Sequence, residues 1–293
     1  MKLLLHRFIF CFNGCNFYKK IISAFVVFLF FASTTISVYA GNGNPHGGAR
    51  DAGMAGASLT FGDAFSMFNN VAGMAWQQGF RAGLYNETRY GLKELSTNGL
   101  SVSYGNTKSG SVGLGIKYFG YNQYNEQDIS FGYARLLSTK ISGGIQFHFL
   151  KTNFGDAYYG DKSTLTVSLG MQYKVTEKLQ FAFNIFNPTR NQLANYNNER
   201  FPTIVKAGFC WKPNEKVMLC VEDEKSVQGK NIVKGGIEYH ITKPLYLRTG
   251  IAGTPANGSF GLGLELKKFK IDIAANYDPV LGVTPHFSLL ANL

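Results

Sequence analysis

The stretch SFGLGLELKKFKIDIAANY, Ser259 to Tyr277, decides how the whole chain is read. Apolar residues take every second position, Phe260, Leu262, Leu264 and Leu266; after KKFK the alternation resumes with Ile271, Ile273, Ala275 and Tyr277. A period of two marks a β-strand with one apolar face. Folded as a hairpin, this spacing sets Leu266 opposite Ile271 and Glu265 opposite Asp272. The two acids then share the side away from the leucines. Facing acids destabilise an ordinary strand pair, so that side calls for water and counter-charges.

The same alternation fills most of the chain. It runs through Leu100, Val102 and Tyr104, through Val112, Leu114 and Ile116, and through Leu165, Val167, Leu169, Met171 and Tyr173. Counting from Phe80 to Leu293 gives about fourteen strands, near the length of a tilted membrane strand of roughly ten residues. Short turns such as LSTK (137–140), VTEK (175–178) and KPNE (212–215) alternate with longer polar segments at 120–127, 152–163, 187–202, 223–231 and 253–258. Short and long connections in strict alternation, with aromatics such as Tyr118, Tyr173, Trp211, Tyr239 and Tyr277 near strand ends, are the layout of a transmembrane antiparallel β-barrel. A soluble β-sandwich would show the same periodicity with its apolar face turned to a shared core. The unbroken strand count and the rhythm of turns favour the barrel. Its inward face carries the charges Lys234, Glu238, Arg248, Glu265 and Asp272 as a luminal network, with the bases paired to the acids, and glycines such as Gly113, Gly170, Gly236 and Gly261 that leave room inside.

Ahead of the strands, KKIISAFVVFLFFASTTISVYA (19–40) has two lysines, an apolar run and small residues at the cleavage positions. It reads as a secretory signal peptide over 1–40, followed by a segment at 41–79 and the barrel at 80–293. The leader holds four basic residues and no acid, which takes the formal charge from +11 to about +7. The bases are spread over turns in an exported chain, so they suit outer-membrane lipid and lipopolysaccharide headgroups rather than nucleic acid. Beyond the leader only Cys210 and Cys220 remain, on neighbouring strands, where pairing is open.

The segment GGARDAGMAGASLTFGDAFSMFNNVAGMAWQQGFRAGLYN (47–86) is rich in Gly and Ala and shows no strand alternation before Phe80. Its apolar residues Met54, Phe61, Phe65, Met67 and Phe68 would be wasted in solvent, so it reads as an ordered plug within the barrel. Here a resemblance enters. Gly48-Ala49-Arg50, Gly53-Met54-Ala55-Gly56-Ala57, Asp63 and Asn69-Asn70-Val71-Ala72-Gly73 resemble the N-terminal signature of FadL-type outer-membrane proteins, and especially of their PorV/PorQ branch in Bacteroidetes. Asn70-Val71-Ala72 stands where that family has Asn-Pro-Ala, and the chain ends on Leu293 rather than an aromatic residue. The resemblance implies fourteen strands, a luminal plug built on Gly48, Arg50, Gly53, Gly56, Asp63, Asn69 and Gly73, and an outer-membrane location in a Gram-negative bacterium. It also implies passive transport of a small hydrophobic molecule, with Met54, Phe61, Phe65, Met67 and Phe68 lining its pocket. The alternatives are an accessory of type IX secretion that contacts secretion-system proteins, or a structural barrel with a closed lumen.

No catalytic set, cofactor motif or metal-ligand spacing stands out. His46, His148, His240 and His286 have no carboxylate partner evident in sequence, and His148 and His240 read as polar lumen lining. Gly113-Leu114-Gly115 and Gly261-Leu262-Gly263 lie inside strands, where a phosphate-binding loop cannot form. The sequence therefore points away from an enzyme.

Overall fold

The computed structural model describes residues 46–293 apart from 107, 156–160, 191–200, 228, 230 and 254–255. The expected signal peptide lies outside the described residues. Fourteen antiparallel strands close on themselves. They are β1 (Gly79–Thr88), β2 (Ser96–Asn106), β3 (Gly110–Tyr121), β4 (Tyr124–Leu136), β5 (Ile141–Phe154), β6 (Lys162–Lys174) and β7 (Leu179–Phe186). The second half is β8 (Ile204–Asn214), β9 (Val217–Ser226), β10 (Asn231–Thr242), β11 (Leu245–Ala252), β12 (Asn257–Glu265), β13 (Phe269–Asp278) and β14 (Gly282–Asn292). Each strand pairs with its sequence neighbours, and β1 pairs with β14 from Arg81–Asn292 to Glu87–His286, so no sheet edge is left unpaired.

Burial alternates along every strand, and it does so in the sense of a membrane barrel. Leu100, Tyr104, Leu114, Phe131, Phe147, Leu169, Ile237, Phe260 and Ile273 are exposed, whereas Ser101, Ser103, Ser130, Gln146, Ser168, Glu238 and Asp272 between them are buried. A soluble protein does not leave so continuous an apolar band facing outwards. Hydrocarbon satisfies it, and the closed sheet pairs the backbone groups of the strands with their neighbours, as hydrocarbon requires. Phe80, Tyr104, Tyr133, Tyr173, Phe181, Trp211, Tyr239 and Phe269 form an exposed aromatic belt at the end where β1 begins and β14 finishes. Tyr121 and Tyr277 stand at the other end.

Two sequence expectations are corrected. In the hairpin of β12 and β13, Glu265 pairs with Lys270 and Gly263 with Asp272, so the two acids do not face each other. The turn is tighter than expected: Leu266 and Phe269 exchange backbone hydrogen bonds at 2.7 and 3.2 Å, which draws the register in by one pair. Nor do connection lengths alternate strictly. On the side expected to carry longer loops, β3 and β4 are joined by two residues between Tyr121 and Tyr124, and β13 and β14 by three between Asp278 and Gly282.

The segment before β1 forms two short helices, α1 (Ala49–Gly53) and α2 (Ser66–Asn69), and a 3₁₀ turn over Val71–Trp76. It packs on inward-facing glycines. A Cβ added at Gly236 would lie 2.8 Å from Met54 Cβ, at Gly113 2.7 Å from the sulfurs of Met67 and Met74, and at Gly261 3.1 Å from the Gly53 backbone. Gly132 and Gly144 meet Val71 in the same way, and Gly83 meets Phe65. The glycines are thus where the wall and the segment come closest.

Cys210 and Cys220 are direct cross-strand partners on β8 and β9 and form a disulfide, with Cα atoms 4.1 Å apart. The bridge is buried against Met54, Ala57 and Phe61. We expect both thiols to take an alkylating reagent only after reduction, and replacing both by Ala to lower stability by about 2 kcal/mol, read by urea unfolding in detergent.

Candidate functional site

The inward face holds the N-terminal segment by charge and by hydrogen bonds on all sides. Arg50, on α1, forks onto Glu238 of β10 with both contacts at 2.8 Å. Glu238 also accepts from Arg248 Nε at 2.7 Å, and Arg248 Nη1 donates to Asp272 at 2.7 Å. The register of β10 with β11 sets Glu238 directly across from Arg248, and Gly263 leaves the room that the guanidinium and Asp272 occupy. Glu222 on β9 accepts from the backbone N–H groups of Ser58 and Leu59 at 3.1 Å each. Ser288 accepts from Ala49 N–H at 3.2 Å, Ser259 donates to Gly53 O at 3.1 Å, and Gln146 donates to Met67 O at 2.8 Å. Ser101 donates to Ala64 O.

Of the expected luminal network, Glu238, Arg248 and Asp272 form one chain, and Arg50 joins it. Lys234 belongs elsewhere: it pairs with Glu224 at 2.6 Å and Glu222 at 3.3 Å, and Glu224 also takes Lys206. Glu265 sits at the strand end with Tyr246 and Lys270. The expectation gave each of Glu265 and Asp272 a base without naming which; Arg248 takes Asp272, and Lys234 takes neither acid among the described contacts. Glu222, Glu224 and Lys206 were absent from the sequence reading, although their inward parity on β8 and β9 was available as a signal.

The segment's own motif residues hold its shape. Asp63 accepts from the Phe65 N–H at 3.0 Å and lies 3.6 Å from Arg50. Burial pushes its carboxyl up, against the charges of Arg50 and Lys270. Asp51 accepts from Gly47 N–H at 2.8 Å and faces His46 at 3.2 Å. Burial alone would raise its carboxyl, but the hydrogen bond and charge of His46, then Lys234 and the Gly47 N–H, hold it well below the usual carboxylate range. Asn69 donates to Gly47 O at 3.3 Å. Gly48 and Gly56 take positive φ, and Gly53 and Gly73 lie against Gly261 and Phe61 O. Asn70, quoted in the motif but not singled out as a plug residue, is fully buried, accepts from Ala72 N–H and donates to Leu59 O at 3.0 Å.

The five expected pocket residues fall into three places. Met54 and Phe61 are packed with the disulfide. Phe65 is packed with Tyr85 and Leu290. Only Met67 and Phe68 border an open space, a cavity of about 160 Å³ on the side of the β6–β7 wall. Its apolar lining includes Phe68, Phe119, Leu150, Phe186 and Phe201; its polar lining includes Lys117, Asp128, His148 and Ser168. Lys117 Nζ lies 4.4 Å from the Phe68 ring centroid. His148 has the carboxylate partner that the sequence did not reveal, Asp128 at 3.0 Å.

The wall changes beside this cavity. The β6–β7 ladder stops at Ser168–Phe186, because β7 is eight residues long against thirteen in β6. Beyond it, Asn187 caps the strand: its N–H donates to Val167 O at 2.9 Å, and its side chain joins Thr166 to Phe201 O at 2.9 and 2.8 Å. Among the described residues the β6–β7 ladder goes no further, and Asn187 supplies the contacts that hold the wall there.

No protein-family model and no curated protein matches the chain. Solved structures do match. The chain is similar to the CymD monoaromatic hydrocarbon channel at TM-score 0.62 and 14% identity, over 84% of this chain and 97% of that one. It is similar to the Pseudomonas putida toluene transporter TodX at TM-score 0.60 and 13% identity, over 88% and 98%. A FadL homologue of Pseudomonas aeruginosa matches at TM-score 0.60 and 13% identity, over 84% and 98%. At these identities what the chain shares with the three is their fold, the closed fourteen-stranded barrel.

Proposed function

We propose that this chain is an outer-membrane channel that passes a small, mainly apolar molecule, and that the molecule enters through the cavity beside β6 and β7. The observation that carries the reading is the joint position of three features. The N-terminal segment packs on the inward face of the strands, the cavity borders that segment at Met67 and Phe68, and among the described residues the β6–β7 ladder ends at the cavity. Straight passage down the axis would break the contacts of Arg50, Ser58, Leu59 and Met67 with the wall. A molecule moving between the cavity and the wall breaks none of them. The size suits a single aromatic ring, since an apolar cavity of about 150 Å³ binds benzene. The solved structures named as monoaromatic hydrocarbon and toluene channels share the fold and support this class of cargo.

Two of the described connections on the side away from the start of β1, at 122–123 and 279–281, have two and three residues and offer a secretion partner little to hold. The test is mass spectrometry of organic extracts from the barrel purified out of native membranes, followed by binding of toluene to the emptied barrel. Replacing Phe68 by Asp puts a charge on the apolar floor and is expected to weaken toluene binding at least about tenfold. A barrel that retains no apolar compound and binds no toluene would refute the reading.

A further inference from the structure

Three inward side chains on three consecutive strands form a hydrogen-bonded chain along the cavity wall. His148 Nδ1 lies 3.0 and 3.1 Å from the two carboxylate oxygens of Asp128, and His148 Nε2 lies 2.9 Å from Ser168 Oγ. With Asp128 ionised, Nδ1 carries the proton and donates to it. Nε2 is then the bare nitrogen and accepts from the Ser168 hydroxyl. That is the order of nucleophile, base and orienting acid that activates a serine.

Strand register produces this geometry. His148 stands directly across from Ser130 on β4 and Thr166 on β5's other neighbour, β6. Asp128 and Ser168 are the diagonal neighbours on the same face, two residues removed in each case. The His148 ring is set edge-on to Phe186 at 5.3 Å, which restricts its rotation. All three residues line the cavity, together with Lys117 and Asn184. Ser168 is also the first β6 residue, in chain order, of the β6–β7 ladder among the described residues, so it sits where that ladder ends.

We propose that Ser168 is an acyl-accepting nucleophile and that the cavity hydrolyses small carboxylic esters with an apolar body. Ser168 Oγ adds to the ester carbonyl carbon while its proton passes to His148 Nε2. The bond to the alcohol oxygen breaks, and His148 returns the proton to the departing alkoxide. Water then attacks the acyl-serine with His148 again as base, releasing the carboxylic acid and restoring Ser168. Asp128 is a positioning residue: it holds the ring and offsets the imidazolium charge without taking the proton. Lys117 and Asn184, which line the same cavity, are assigned to the developing oxyanion as N–H donors. The proposal shares the cavity with the transport reading but not its fate, because ester cleavage is read without any movement of cargo.

The test uses the full barrel, folded in mild detergent, with a small fluorophosphonate and with p-nitrophenyl acetate as probes. One phosphonyl adduct on the peptide containing Ser168 is expected. Nitrophenol release is expected to exceed that of Ser168→Ala by about 100-fold or more, with both signals lost in His148→Gln. Asp128→Asn should slow hydrolysis and alter its pH profile, a change that a purely structural contact would not cause. Resistance of each variant to unfolding by detergent at room temperature confirms the fold, and toluene binding and ester hydrolysis are measured separately on the wild-type barrel, so that failure of one reading is distinguished from failure of the other. An unmodified Ser168 in the folded wild type, or equal hydrolysis by Ser168→Ala, would overturn the proposal and leave the three residues as polar lining.

Discussion

Replacing Arg248 by Leu is expected to be the most damaging single change in the barrel, costing about 3–5 kcal/mol. Its side chain is completely buried, and so is that of Asp272, while Glu238 is exposed by only 2%. The guanidinium holds both carboxylates, at 2.7 Å each. Without it the fully buried Asp272 has no other base at salt-bridge distance among the described residues, and Glu238 retains Arg50 and His240. Removing one member of a buried ion set is far worse than removing all of it, because the loss is the desolvation of the charges left behind. The double variant Arg248→Leu with Asp272→Leu should therefore recover part of the loss. Urea unfolding followed by the heat-dependent shift in gel mobility measures both. An Arg248→Leu midpoint equal to wild type would show that water reaches this network and that its charges are already solvated.

The second large effect is expected from Gly250→Val. A Cβ at this position would lie 2.6 Å from the Met54 carbonyl carbon and 2.8 Å from Ala55 N. Both are backbone atoms, so no rotamer change relieves the clash. Either β11 or the segment around Met54 must move. The β11 backbone is paired on both sides, with β10 and β12, whereas the segment is held by discrete side-chain contacts. The segment is what gives way, at a cost of about 1–3 kcal/mol from overpacking. The expected readout is faster proteolysis between Gly47 and Gln77 and a higher ion conductance in planar bilayers. Unchanged conductance with faster proteolysis would mean that the segment loosens without clearing the lumen.

Most of the barrel was legible in one dimension. Outward and inward faces follow from a period of two, and the reading of Leu165 to Tyr173 as outward and Ser168 and Gln172 as inward holds in the structure. The strand count holds because each hairpin carries its own turn residues. The register of an individual hairpin was less secure: Glu265 and Asp272 are separated by one pair in the ladder, since the exact turn closure depends on a backbone exchange between Leu266 and Phe269. Sequence spacing fixes the face of a residue but leaves its cross-strand partner open by a shift of two.

What the residues determined by themselves is therefore the strand pattern, the apolar outer surface, the polar interior and the candidate segment before β1. All of these depend on local alternation and composition. Only the closed barrel decided which charges meet. Arg50 reaches Glu238 across 188 positions of chain, Lys234 leaves Asp272 to Arg248, and Asp128, His148 and Ser168 join from three strands at intervals of twenty residues. Such contacts lie perpendicular to the chain. Their geometry is set by register and curvature, which no single strand contains.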